Sequence, residues 1–287
     1  MRRSDRYGVR IGKATPMCLV GRPRKLATSE ASTNARDRLG GHVLSFRVLG
    51  PLEIGTPTQV VRPKGFMQRK LLTVLLANAG NLVPIDPLIN ELWQEKPPAH
   101  VENALQAHVS RLRQKLADWE PDAGTARLVA FPAGYQLNVD EGELDAEIFR
   151  AGLERIRDHS ADDPAVTVRE LRSLLDLWRG PALHGMAGTA LCQAAICRLE
   201  ESRIAALELL YENELELGNY GRVIPELREQ LTDQPFRERF WQQLLIALQR
   251  SGRHTEARVV YQELRRKVSQ ELGLDPSPIM HGFDQPS

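Results

Sequence analysis

Residues 97–116 read PPAHVENALQAHVSRLRQKL, and their apolar and polar positions separate onto two faces of one helix. Val101, Leu105, Val109, Leu112 and Leu116 follow one another at steps of four, four, three and four, the spacing that lines one side of a helix. The opposite side carries Asn103, Gln106, Ala107, Ser110, Arg111 and Gln114. No acid occurs between Glu102 and Asp118, whereas Arg111, Arg113 and Lys115 all fall in that interval. A solvated helix face ordinarily mixes both signs. Amides and a guanidinium bond base edges bidentately in a major groove, and the small Ala107 and Ser110 permit close approach. Taken alone, this face reads equally as a DNA probe and as an exposed side that lacks acids, so its neighbours must decide.

The chain has 287 residues, room for two domains each with its own core. Its 42% apolar and 26% charged content is that of a soluble globular protein, and no apolar run approaches the ~20 residues that span a bilayer. The longest apolar run near the N-terminus, Met17 to Val20, is too short for a signal-peptide core, so a cytoplasmic protein without membrane association is expected. Cys192 and Cys197 sit five apart in a helical stretch and Cys18 lies in a basic tail, which builds neither a disulfide framework nor a zinc quartet. Buried or idle thiols are expected. The net charge of +1 conceals a gradient. Residues 1–42 hold 10 basic and 3 acidic side chains, 43–140 hold 10 and 9, and 141–287 hold 18 and 25. Phosphate neutralisation needs Lys and Arg, so nucleic-acid contact belongs to the N-terminal half.

Residues 1–42 are rich in Arg, Ser, Thr and Gly without apolar periodicity and read as a disordered basic extension. Folded pattern begins at VLSFRVLGPLEI, and Val43, whose codon can also start translation, makes a start there a second reading of this boundary. Short strands are expected over Phe46–Leu49, Leu52–Ile54 and Gln59–Val61. A first helix follows from about Gly65 to Asn78 with Phe66, Leu71, Leu72, Leu75 and Leu76 as its core stripe, and Lys64, Arg69 and Lys70 near its start. A second runs from Ile85 to Trp93, burying Leu88, Ile89, Leu92 and Trp93, and stops before Pro97-Pro98. After the amphipathic helix, LVAFPAGYQLNV forms a hairpin around Pro132 and Gly134-Tyr135.

Sheet, three helices and a hairpin in that order make a winged helix-turn-helix with an extra N-terminal sheet, in which the third helix enters the major groove. FRVLGPLEI, LINELW followed by a Pro pair, ENALQAHVSRLRQKL and the Gly134-Tyr135 wing resemble the response-regulator type of winged helix in the form carried by the Streptomyces antibiotic regulatory proteins. Two features depart from that pattern. The wing has Ala130, Phe131 and Ala133 where relatives often place Thr or Arg, and after Pro278 the chain runs IMHGFDQPS in place of a final helix.

From Leu144 to Asp275 the pattern is helical throughout. GNYGRVIPELREQLTDQP opens at Gly218 with an aromatic two residues on, a core position at Val223 and a proline at Pro235. A second copy opens thirty-four residues later at Gly252, with Ala257 in the place of Val223. That period is the tetratricopeptide one, whose helix hairpins stack to bury their faces and leave a concave surface that usually binds protein. LDAEIF, LWRGPAL, RLEESRIAALE, RERFWQQLLIALQRSGR and ELGLDPSP lie in the order found in the bacterial transcriptional activation domain of the same regulators. The expected architecture is therefore an α+β winged helix-turn-helix of the response-regulator type over 43–140, then an all-α tetratricopeptide-like activation domain over 143–278, with a tail over 279–287.

The resemblance implies a sequence-specific activator of a secondary-metabolite gene cluster. It implies binding to double-stranded DNA as a homodimer on direct repeats next to a promoter, and RNA polymerase holoenzyme as partner. Asn103, Gln106, Ala107, Ser110, Arg111, Arg113 and Lys115 are the expected DNA contacts on the third helix, with Lys64, Arg69, Lys70 and Arg127 from the elements around it. At ~100° per residue Arg111 falls beside Asn103, Ala107 and Gln114 at the centre, while Arg113 and Gln106 lie at the opposite edge, where phosphate contact is more usual. His100 and His108 cap or pack, and Trp93, Trp178 and Trp241 sit in apolar stripes as packing residues. A near-neutral DNA-binding half predicts few phosphate contacts and a shallow salt slope, with a second protomer or polymerase supplying the rest. No Gly-rich loop with Gly-Lys-Ser/Thr, no HExxH and no GxSxG occurs, so neither an enzyme nor a cofactor is expected. Two other readings fit the same residues: a ligand-responsive repressor, and a scaffold that uses only the tetratricopeptide surface.

Overall fold

The structure is a computed structural model that describes residues 44–56, 58–120, 126–159, 163–186 and 190–275. The expected basic extension 1–42, the alternative start at Val43 and the tail 279–287 lie outside the described residues. The chain opens with an antiparallel sheet of β1 (Ser45–Arg47), β2 (Glu53–Gly55) and β3 (Val60–Val61), in which Phe46 faces Ile54 and Ile54 faces Val61. Then follow α1 (Phe66–Ala77), β4 (Leu82–Pro84), α2 (Ile85–Trp93) and α3 (Val101–Trp119), and the wing strands β5 (Leu128–Phe131) and β6 (Gly134–Leu137).

Local chemistry sets these boundaries. Gly65, at φ 90°, turns the chain into α1, and Gly80, at φ 73°, turns it out again after Asn78 has closed the helix by donating Nδ2 to the Val74 carbonyl at 2.9 Å. Pro84 is extended ahead of α2, and the Pro97-Pro98 pair keeps α2 and α3 apart. Two expectations need correction. Phe66 is 56% exposed instead of part of the core stripe, because it occupies the first helical position, before the helix reaches the interior. And the wing is a three-stranded sheet in the order β4-β6-β5, in which the unexpected β4 pairs Val83 with Tyr135.

The second half contains α4 (Asp145–His159), α5 (Pro164–Leu175), α6 (Ala190–Glu216), α7 (Tyr220–Asp233), α8 (Glu238–Arg250) and α9 (His254–Leu272). Its repeat is visible in the backbone. Gly218 and Gly252 both stand at φ 76°, and the residue after each, Asn219 and Arg253, donates its N–H five residues back, to Glu214 and Leu248. Both helices thus end in the same left-handed cap, which a glycine adopts without strain, and Val223 and Ala257 are both buried behind it.

Each half has its own core, and each core takes in residues from the other half. Leu183, Cys192 and Ala195 from the second half are buried in the core of the first, and Leu49 from the first is buried among α4, α5 and α6 residues. α6 packs directly on α1 and α2. Three sequence motifs converge on this joint. The Val48 and Leu49 amides donate to the Asp145 carboxylate at 2.8 and 3.1 Å, and the Arg179 and Leu183 amides donate to the Leu49 and Val48 carbonyls, both at 2.8 Å. Gly50, at φ 142°, lies so close to Arg179 that a Cβ there would meet the Arg179 Cβ at 3.0 Å. FRVLGPLEI, LDAEIF and LWRGPAL are therefore the pieces of one interdomain seam.

Candidate nucleic-acid interface

α3 is held from below. Leu105, Val109, Leu112 and Leu116 are each at most 2% exposed against α1 and α2. Gln68 of α1 donates its Nε2 to the His108 carbonyl and lies against His108 Nδ1, both at 3.3 Å, while the Trp93 ring of α2 lies 6.0 Å from the imidazole. Burial, and secondarily the Arg111 charge, push the His108 pKa below its ordinary value. A neutral ring leaves Nδ1 able to accept from Gln68, so His108 packs beneath the helix. His100 precedes α3 at the N-cap position and makes no side-chain cap there. Trp178 and Trp241 are buried in the second half, Trp241 with its Nε1 donating to the Pro235 carbonyl at 2.9 Å.

The outer side of α3 presents Asn103, Gln106, Ala107, Ser110, Arg111, Arg113 and Gln114 to solvent, with Lys115 half-buried at the margin. Arg111 forms no ion pair with a described residue, so its charge is uncommitted. Arg113 donates Nε to the Leu128 carbonyl at 2.8 Å, which ties the helix to the wing and leaves its exposed end at their corner. Lys64 and Arg69 are exposed at the start of α1, next to Gln68, the residue that touches the middle of α3. Through Gln68, α1 packs against the inner side of α3 there.

Two expected contacts fall away from that surface. Arg127 is only 10% exposed and is saturated by carboxylates: Glu120 at 2.7 Å, Glu143 at 2.7 Å and Asp140 at 3.1 Å. Those hydrogen bonds hold its pKa above the ordinary value even against burial, and they clamp the end of α3 to the segment entering the second half. Arg127, expected to face DNA, thus has its charge committed inside the protein. Lys70 is half-buried, and its Nζ donates to the Leu92 carbonyl at the end of α2 at 3.0 Å, so its charge is directed into the helix pair.

The wing carries no ionisable side chain over residues 128–134, and its outermost apolar group is Phe131, 45% exposed. Gly134 is required here, since a Cβ would overlap the Val83 carbonyl of β4 at 2.1 Å. Sequence reasoning missed Gln68 and Glu91 as positioning residues. Glu91, on α2, is 4% exposed and accepts the Leu191 N–H at the start of α6 at 2.6 Å, with burial raising its pKa. The available signal was a charged residue placed among the apolar positions of a short helix.

A family model described as "Bacterial transcriptional activator domain" matches residues 144–285, and one described as "Transcriptional regulatory protein, C terminal" matches residues 65–137. Regulatory protein DnrI of Streptomyces peucetius is 33% identical over 239 residues, covering 82% of this chain and 88% of DnrI. Transcriptional regulator RedD of Streptomyces coelicolor is 32% identical over 241 residues, covering 84% and 69%. Among solved structures, Mycobacterium tuberculosis EmbR in complex with a low affinity phosphopeptide superposes with a TM-score of 0.76 at 29% identity, covering 85% of this chain and 66% of that one. No helix among the described residues is long and apolar enough to cross a membrane. With a winged helix-turn-helix joined to a helical activator domain, and with relatives of this identity and coverage, the chain belongs to the Streptomyces antibiotic regulatory protein family of DNA-binding transcriptional activators.

Proposed function

We propose that this chain switches on a secondary-metabolite biosynthetic gene cluster by binding, as a homodimer, direct repeats beside a promoter and recruiting RNA polymerase holoenzyme. The observation that carries the reading is the outer face of α3: amides, small side chains and an uncommitted arginine, free of acids, on a helix whose other side is locked into the core. Asn103 and Arg111 address base edges in the major groove, Gln106 lies at the edge of the face, and Ala107 and Ser110 let the helix approach. Lys64, Arg69, Arg113 and Lys115 contact phosphates, which set register without reading sequence. The uncharged wing adds little electrostatic grip, so one protomer binds modestly and a second on an adjacent repeat supplies avidity.

Selection of the full chain against a random duplex pool tests the DNA half of the reading. It is expected to return two half-sites in the same orientation, spaced by about one helical turn. A single or inverted site overturns the direct-repeat arrangement. Transcription reconstituted with purified polymerase tests the other half. Stimulation without added small molecule is expected; repression would replace this reading by a ligand-responsive repressor, and absence of DNA binding by a protein-interaction scaffold.

A further inference from the structure

We propose that Phe131, at the tip of the wing, is an apolar DNA contact that wedges against the minor groove beside α3 and needs no charge to do so. The inference deepens the docking of α3 proposed above and rests on it. The register of the wing sheet sorts its side chains onto two faces. Val83, Leu128, Tyr135 and Leu137 lie on the inner face and are each at most 9% exposed. On the outer face, Leu82, Gln136 and Val129 form one row, and Pro84, Gly134 and Phe131 form the next. That second row ends the sheet, and Phe131 is 45% exposed there.

The tip is held in place from two sides. Its turn is only Pro132-Ala133, and the proline ring fixes one of the backbone angles. The Ala133 carbonyl accepts the Ile85 N–H at 3.2 Å, which ties the tip to the start of α2. At the other end of β5, the Leu128 carbonyl accepts from Arg113 of α3 at 2.8 Å. Three residue steps separate that bond from Phe131, a rise of about 10 Å. Phe131 is therefore carried at a set distance from the margin of α3, with little conformational freedom left to lose on contact.

Chemistry then selects what the tip can meet. With α3 in a major groove, an element about 10 Å beyond its margin lies over the adjoining sugar–phosphate wall and minor groove. Arg113, exposed at the corner between α3 and the wing, makes the tip continuous with the acid-free face of α3. No ionisable side chain occurs from Leu128 to Gly134, and the exposed Asp86 that follows Ile85 repels phosphate, so the tip has no charge with which to grip the backbone. A phenyl ring flanked by Ala130, Pro132 and Ala133 is instead buried against deoxyribose or at a base step, as apolar wedges are in minor grooves. Wedging unstacks the step, so it favours flexible pyrimidine–purine steps and reads sequence without a base hydrogen bond.

The test uses the full chain and the operator returned by the duplex selection. Phe131→Ala should weaken binding about tenfold, with an unchanged slope of log affinity against log salt, because no phosphate contact is lost. Phe131→Leu should keep most of the affinity, and Phe131→Arg should steepen the slope by about one. Replacing a flexible step beside the α3 site by a stiff A-tract should weaken the wild type and leave Phe131→Ala unmoved. Equal affinity of wild type and Phe131→Ala overturns the inference while the docking of α3 stands. So does a loss that arrives with a shallower slope or a lower melting temperature, which would assign Phe131 to phosphate positioning or to packing. A changed sedimentation coefficient of the free variant would assign the tip to a second copy. A wild-type chain that protects no duplex overturns both this inference and the docking of α3.

Discussion

Arg111, on the outer face of α3, and Arg127, behind the end of the same helix, have the same guanidinium in opposite electrical surroundings. Arg111 is exposed, with no carboxylate partner among the described residues. Arg127 is 10% exposed and surrounded by Glu120, Glu143 and Asp140. The first arrangement leaves a charge for an anion that arrives from outside, and the second consumes the charge in holding the molecule together. The joint built around Arg127, Asp145 and Glu91 couples the winged half to the helical half and holds the two at a set orientation.

The comparison breaks most readily at Arg127. Arg127→Met leaves Glu120 and Glu143 buried without a counter-ion and should cost about 3–5 kcal/mol in urea or thermal unfolding. Adding Glu143→Gln should restore part of it; a variant that melts like wild type but loses DNA would return Arg127 to the binding face. Arg111→Ala should do the reverse. Its melting should stay within about 0.5 kcal/mol of wild type, while affinity for the selected operator falls by about 1–3 kcal/mol, enough to erase the footprint. Unchanged binding would refute the docking of α3.

Asp145→Asn probes the seam more gently. An amide can still accept from one of the Val48 and Leu49 N–H groups but turns a donor toward the other, for an expected loss of about 1–2 kcal/mol in the same unfolding experiment. Burial pushes the native carboxyl up to about 6 against the pull of those amides and of Arg179, so the folded chain takes up this proton before the unfolded chain does, and the cost of burying the charge is relieved as pH falls through that value. The smallest effect belongs to His108. Its folded pKa is depressed, so the unfolded chain takes up a proton that the folded chain refuses. Stability is fully present above about pH 6.5 and declines as pH drops below it. His108→Gln should flatten that slope by less than about 1 kcal/mol, read as melting temperature against pH; an unaltered slope would show that the ring titrates freely.

The element order, the buried stripe of α3 and the repeat marked by Gly218 and Gly252 were legible in the residues, because helical geometry places every residue at a known angle from its neighbour. The strand β4 was not legible. It is three residues long, ends in Pro84, and exists through pairing with β6, which lies far along the chain. Phe66 was misplaced for a related reason: periodicity identifies a face but not where along the helix that face meets the core.

Sequence alone determined that this protein has a winged DNA-binding half with an acid-free third helix and an acidic helical-repeat half, since composition and period are local properties. Tertiary structure alone decided which cations remain available. Arg111 and Arg127 are the same residue type sixteen positions apart, but the carboxylates that neutralise Arg127 include Glu143 and Asp140, brought to it when β5 and β6 pair. A side chain's charge is written in the sequence; whether that charge is already satisfied depends on the groups that the fold carries to it.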